Sequence, residues 1–134
     1  MAAGLVRVGY QHFAFLGPES EWAAEASECA AEQDAFWDYH DLLFERQSGE
    51  NRGAFSKDNL KRFAADLGLD TAAFNTCLDS GKHAALVSSE TAMIQSIGVR
   101  GTPAFLINGQ PLVGAQPFEA FQQAIEAALG GKNE

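Results

Sequence analysis

No stretch of this chain approaches the roughly 20 consecutive apolar residues that a membrane helix requires, although 46% of its 134 residues are hydrophobic. Basic residues are scarce: 9 lysines and arginines stand against 18 acidic residues, giving a formal charge of -9 with no basic cluster. That balance argues against nucleic acid as a partner, because phosphate binding draws on grouped lysine and arginine. The negative charge itself reads as a solvated surface. The N-terminal MAAGLVRVGYQ has too short an apolar segment, and too little positive charge ahead of it, for a secretory leader. As written, the chain is expected to stay in the cytoplasm where it is made and off the membrane, although the absence of a leader does not settle where the parent protein works. With 2 cysteines there is no dense disulfide framework, and the 3 histidines, His12, His40 and His83, are spaced from acids in no zinc or triad pattern. They read as surface or helix-packing residues, and no metal or cofactor is expected.

What is present fits one domain. A chain of this length buries about two thirds of its unfolded surface, so a core suffices without a metal. LVRVGYQHFAF, Leu5 to Phe15, is rich in branched and aromatic residues in partial alternation and reads as a strand. A helix from Glu19 to about Gln33 follows, opened by Pro18, with Trp22, Ala26, Cys29 and Ala30 on one stripe. Asp34 is the expected N-cap of a second helix packing through Phe36, Trp37, Leu43 and Phe44, and SGENRGAF is the best loop. Trp37, Tyr39 and Phe44 read as core or half-buried residues. Ser56 and Asp70 are expected to cap two more helices, whose stripes are Leu60, Phe63, Ala64 and Leu67, then Phe74, Cys77 and Leu78. Both cysteines thus fall on buried faces. A last run, Lys82 to Ile97, carries Leu86, Met93, Ile94 and Ile97. Ala104 to Gly114 then predicts a β-hairpin with a buried first strand, AFLIN, and Gly109–Gln110 as its turn. Pro117 opens a final helix through Phe118, Phe121, Ile125 and Leu129, stopped by Gly130 and Gly131. Internal repeats and low-complexity segments are lacking.

The loop GVRGTPAFLING, Gly98 to Gly109, is the most informative stretch. Gly98 and Gly101 flank Val99 and Arg100, and Thr102 before Pro103 is biased to extended geometry. A proline opening a buried strand donates no hydrogen bond there. One accommodation is a cis Thr102–Pro103 bond, which leaves the Thr102 backbone free to pair outside the sheet. From the residues alone, an ordinary turn and a binding loop fit equally.

Four segments in this order, VRVGYQHFAF, AAEASECAAEQDAFWDYHDLLF, LGLDTAAFNTCLDSG and GVRGTPAFLINGQPLVGAQPFEAF, resemble the DsbA-like branch of the thioredoxin-fold family, from about Leu5 to Leu129. The resemblance implies an α/β thioredoxin-like fold with a helical insertion over about residues 19–97, in one domain spanning 1–134. It also implies that Pro103 is the cis-proline of the substrate groove. Thr102 would then offer backbone contacts to an extended peptide, and Val99, Arg100 and Gly101 would complete the substrate-binding loop.

The family places a strand and a Cys-x-x-Cys helix ahead of the strand read at Leu5, and this sequence has neither. Its chemistry requires a low-pKa thiolate and a resolving thiol two residues on, which Cys29 and Cys77 do not match. The chain is accordingly expected to be truncated at the first strand and catalytic helix, redox-inactive, a binding or structural module rather than an enzyme, with no catalytic residue. The alternatives are a thiol–disulfide oxidoreductase known in part or completed by a partner, and a glutathione-binding transferase or isomerase relative. The family resemblance implies a structural Cys29–Cys77 disulfide; in a reducing cytosol the pair would remain buried thiols. Loss of a central strand would leave sheet edges unpaired, so a homodimer filling the gap is expected, with a peptide or protein partner at the proline loop.

Overall fold

Six helices and one β-hairpin form the secondary structure of residues 4–131, the part of the chain described by this computed structural model. The ends of the expected domain, residues 1–3 and 132–134, lie outside the described residues. The chain divides into two compact units, residues 12–94 and the remainder.

In the unit His12–Ile94, helix α1 (Pro18–Ala31) is the central element. Ala23, Ala26, Cys29 and Ala30 give it a small-residue face, against which α2 (Phe36–Arg46), α3 (Lys57–Asp66) and α4 (Thr71–Ser80) all pack. Tyr39, Leu60, Phe63, Phe74 and Leu78 fill the space between them, with the Tyr39 and Phe74 rings 5.5 Å apart. Burying aliphatic and aromatic area of this kind supplies the main stabilisation of the unit. Two helix starts follow the expected chemistry: Ser56 Oγ accepts the Asn59 N–H at 3.2 Å and Asp70 Oδ1 accepts that of Ala73 at 3.1 Å. Helix α5 (Ala84–Ser96) lies in this unit up to Ile94.

The other unit holds the hairpin of β1 (Ala104–Ile107) and β2 (Gln110–Val113), followed by α6 (Phe118–Gly131). The strands are antiparallel, with Ala104 opposite Val113 and Ile107 opposite Gln110. Helix α6 packs on β1, its Phe121 ring meeting Phe105 edge to face at 4.8 Å.

Several expectations are corrected. Residues 5–15 form no strand among the described residues, and Leu5, Val8, Tyr10 and Phe15 are exposed. Branched residues favour extended backbone, but a strand exists only when another pairs with it. Asp34 does not cap α2: it takes a left-handed φ of 58° in the turn that ends α1, and Ala35 precedes the helix. The face of α2 that is buried carries Tyr39 and Leu42, leaving Trp37 and Phe44 exposed. In α5 the buried residue is Val87, while Leu86, Met93 and Ile97 are exposed. The hairpin turn is Asn108–Gly109, with φ of 50° and 84° as a type I′ turn demands, so Gln110 belongs to β2. Strand β1 is not buried, and Leu106 is 62% exposed. A short apolar run specifies a strand without specifying what covers it.

Candidate functional site

Cys29 lies in the last turn of α1 and Cys77 in the last turn of α4, on faces that already pack together. Their Cα atoms are 5.9 Å apart and the sulfurs form a disulfide across a sequence separation of 48. Both residues are buried.

A charged cluster stands beside the bridge. Glu32, just past the end of α1, shares the Cys29 side of the helix, being three residues on. Gly81 closes α4 in a left-handed conformation, and the chain then delivers Lys82 and His83 to the same corner. Glu32 Oε2 accepts from Lys82 Nζ at 3.0 Å and lies 2.5 Å from His83 Nε2 and 3.5 Å from Cys77 Sγ. The Lys82 ammonium, followed by the His83 hydrogen bond, holds the Glu32 carboxyl below the usual range. The ligating atoms of Cys29, Cys77 and His83 all lie within 4.8 Å of one another. Nearby, burial pushes the Glu25 carboxyl upward; Lys57 and His83 oppose that shift and Glu21 adds to it.

The residues expected to bind substrate, Val99, Arg100, Gly101, Thr102 and Pro103, form the segment leading into β1, in the other unit. Arg100, Thr102 and Pro103 are exposed, and the Thr102–Pro103 peptide is cis. The Pro103 carbonyl accepts the Gly114 N–H at 2.8 Å, which ties the loop to the end of the hairpin. Space beside the Gly101 Cα is open.

The histidines do more than the sequence indicates. His12 is buried, with its Nε2 2.7 Å from Glu28 Oε1 and its backbone N–H donating to Glu90 Oε1 at 2.9 Å. His40 meets Asp41 at 3.0 Å among aromatic rings. Sequence reasoning gave Glu32 and Lys82 no role in a site. The Cys29–Glu32 spacing was a usable signal, whereas His83 lies beyond the Gly81 stop, where helical periodicity says nothing.

The mostly helical chain, with its small two-stranded sheet, has a thioredoxin-like fold of the DsbA type, as its family match and its superposition on solved thioredoxin-like structures show. The chain belongs to the DSBA-like thioredoxin domain family, which matches residues 6–126. It is 26% identical to disulfide bond formation protein D of Bacillus subtilis, covering 96% of this chain and 60% of that protein. It is 36% identical to the Na(+)/H(+) antiporter NhaA 3 of Salinispora tropica over 92% of this chain, but over only 19% of the antiporter. Among solved structures, a thioredoxin-like oxidoreductase from Silicibacter pomeroyi superposes with a TM-score of 0.74 at 26% identity, covering 89% of this chain and 66% of that one. Oxidised BdbD from Bacillus subtilis superposes with a TM-score of 0.79 at 24% identity, covering 90% and 66%. The chain thus spans part of the length of each relative.

These findings correct the expectation of a redox-inactive module, leaning away from an enzyme because the catalytic Cys-x-x-Cys pair is absent. The two cysteines present are joined in a disulfide, and the family and its curated relatives include proteins of disulfide bond formation. A Cys-x-x-Cys spacing is one way to bring two sulfurs together, but a disulfide joins cysteines that are close in space, whatever their separation in sequence.

Proposed function

We propose that this chain is a DsbA-like domain that works in thiol–disulfide exchange on extended peptide segments. The observation that carries the reading is the Cys29–Cys77 disulfide in a chain of this family. Since the sequence contains no other cysteine, exchange by this chain runs through that pair. A substrate thiolate attacks one sulfur of the bridge to give a mixed disulfide and release the other cysteine as a thiolate. A second substrate thiol then displaces the first cysteine, leaving the substrate oxidised and both chain cysteines reduced. Glutathione disulfide regenerates the bridge. Burial of both sulfurs means that the attack requires local opening at the ends of α1 and α4.

In this reading Val99 to Pro103 receive the peptide, with the Thr102 backbone pairing to it as a strand would. The exposed apolar face of β1 and β2, with Leu106 62% and Val113 65% exposed, supports a second copy of the chain as the covering partner. Sedimentation at micromolar concentration should give a dimer, and a monodisperse monomer sinks that part of the reading. The bridged form suits an oxidising compartment and the dithiol form a reducing one.

The test is oxidation of a reduced two-cysteine peptide by the purified chain with glutathione disulfide as the terminal oxidant, followed by mass. Turnover above the uncatalysed rate that is lost in both Cys29→Ser and Cys77→Ser is expected. A rate equal to background in the unaltered chain overturns the reading.

A further inference from the structure

Among the described residues, Cys29, Cys77 and His83 gather their ligand atoms within 4.8 Å of one another, with Glu32 Oε2 beside them. In the bridged state both sulfurs are committed to each other, and a disulfide sulfur is a poor ligand compared with a thiolate. Opening the bridge changes the chemistry of the corner at once. A dithiol reductant delivers two electrons and two protons, leaving as a disulfide, and Cys29 and Cys77 become two thiols beside an imidazole and a carboxylate.

We propose that reduction of Cys29–Cys77 creates a zinc site with Cys29 Sγ, Cys77 Sγ, a ring nitrogen of His83 and Glu32 Oε2 as its ligands. Tetrahedral zinc takes thiolates at about 2.3 Å and imidazole at about 2.0 Å, which sets ligand atoms roughly 3.5–3.8 Å apart. The observed atoms bracket that spacing. Cys29, Cys77 and His83 offer ligand atoms within 4.8 Å of one another, and Glu32 Oε2 is 3.5 Å from Cys77 Sγ. The sulfurs need to separate and the imidazole to move away from Glu32 by about an ångström, which a broken bridge and a partly exposed His83 permit. The Cα separation of 5.9 Å needs no change in helix packing.

Charge also favours the site. Two thiolates and the Glu32 carboxylate exceed the zinc charge by one, and the Lys82 ammonium, 3.0 Å from Glu32, offsets the difference. Zinc binding displaces the two thiol protons to solvent, so the metal and the bridge exclude each other. Zinc would hold α1 and α4 together in the reduced state as the disulfide does in the oxidised one. Only an openable bridge is required, which is narrower than the exchange activity proposed above; a chain without turnover still tests this inference.

The experiment is zinc titration of the full chain against a chromophoric chelator, before and after reduction with a phosphine, which does not compete for the metal as a dithiol does. Mass spectrometry counts the thiols and circular dichroism checks that the helices persist. One zinc per reduced chain and none per bridged chain are expected, with a thiolate-to-metal charge-transfer band when cobalt replaces zinc. His83→Ala should weaken the reduced site by about 100-fold or more, since even outer-shell partners are worth 10–100-fold. A folded reduced chain with two counted thiols that takes up no zinc overturns the proposal. So does His83→Ala binding as tightly as the unaltered chain, a reduced chain that loses its helices, or a bridge that the phosphine leaves closed.

Discussion

Asn51 caps helix α1 through Glu19, 32 residues away along the chain. Its Oδ1 accepts the Glu19 N–H at 3.2 Å, while its Nδ2 donates to the Leu16 carbonyl at 2.6 Å. The Glu19 carboxylate in turn accepts the N–H groups of Gly53 and Phe55, both at 2.9 Å. The residue at the N-cap itself, Gly17, has no side chain to do this, and at its φ of 111° a Cβ would run into the Asn51 amide. A long-range pair therefore does what a local serine or aspartate does elsewhere.

Asn51→Ala should lower stability by about 0.5–2 kcal/mol, the range for loss of a helix cap, read as a drop in the denaturant midpoint at constant slope. Combined with Glu19→Ala it should be less than additive, because the two side chains serve one network. Full additivity would show that they act independently.

The disulfide fixes a long loop in the unfolded chain. Cys77→Ser should cost up to about 4 kcal/mol by the loop-entropy estimate for a closed loop of this length. Denaturant unfolding of the unaltered and substituted chains checks it, and equal midpoints would mean that helix packing alone orders the corner.

Tyr39 is buried in the core and its hydroxyl donates to the Leu60 carbonyl at 2.9 Å. Burial raises its pKa far above the ordinary phenol value. Tyr39→Phe keeps the ring and removes one buried hydrogen bond to a carbonyl that stays in the α3 backbone ladder, so a loss of about 0.5–1.5 kcal/mol is expected. An unchanged melting temperature would contradict it.

Glu32 and Glu25 should give opposite pH signatures. The folded-state pKa of Glu32 is lowered, chiefly by Lys82 and then His83. Its contribution is present above the ordinary carboxylate pKa and lost as pH falls through the lowered value. Glu32→Gln should therefore flatten the acid limb of the stability profile. Glu25 is raised by burial, so its penalty is missing below the ordinary pKa and grows as pH rises towards the folded one. Glu25→Gln should stabilise the protein at pH 7 and leave it unchanged near pH 3. Denaturant midpoints of the two variants across that range decide both signs.

Gly101 faces open space and has no unusual φ. Gly101→Val should leave the melting temperature in place and, if peptides dock on this loop, raise KM by about tenfold or more, the equivalent of about 1.4 kcal/mol. An unchanged KM would move the docking surface elsewhere.

The helices of residues 18–80 were legible in the sequence because their signals are local. Ser56 and Asp70 cap their own helices, and the stripes through Leu60 and Phe63 or Phe74 and Leu78 repeat at helical spacing. The placement of Cys29 and Cys77 on buried faces was legible for the same reason. Leu5 to Phe15 misled because alternation reports a preference for extended backbone, while the ladder that makes a strand depends on another segment. Asp34 misled because a residue suited to a cap is equally suited to the left-handed turn that it takes here.

By itself, then, the sequence determined the helices of the insertion, the β-hairpin and the proline loop before it, since each follows from residues within a few positions of one another. Tertiary structure decided the rest. It closed Cys29 onto Cys77, gathered Glu32, Lys82 and His83 beside them, and set Asn51 over the start of α1. Each of these contacts joins residues at least 32 apart in sequence, and no helical or strand period spans that separation. Their meeting is fixed by the small-residue face of α1, which lets the neighbouring helices approach closely enough for side chains to bond.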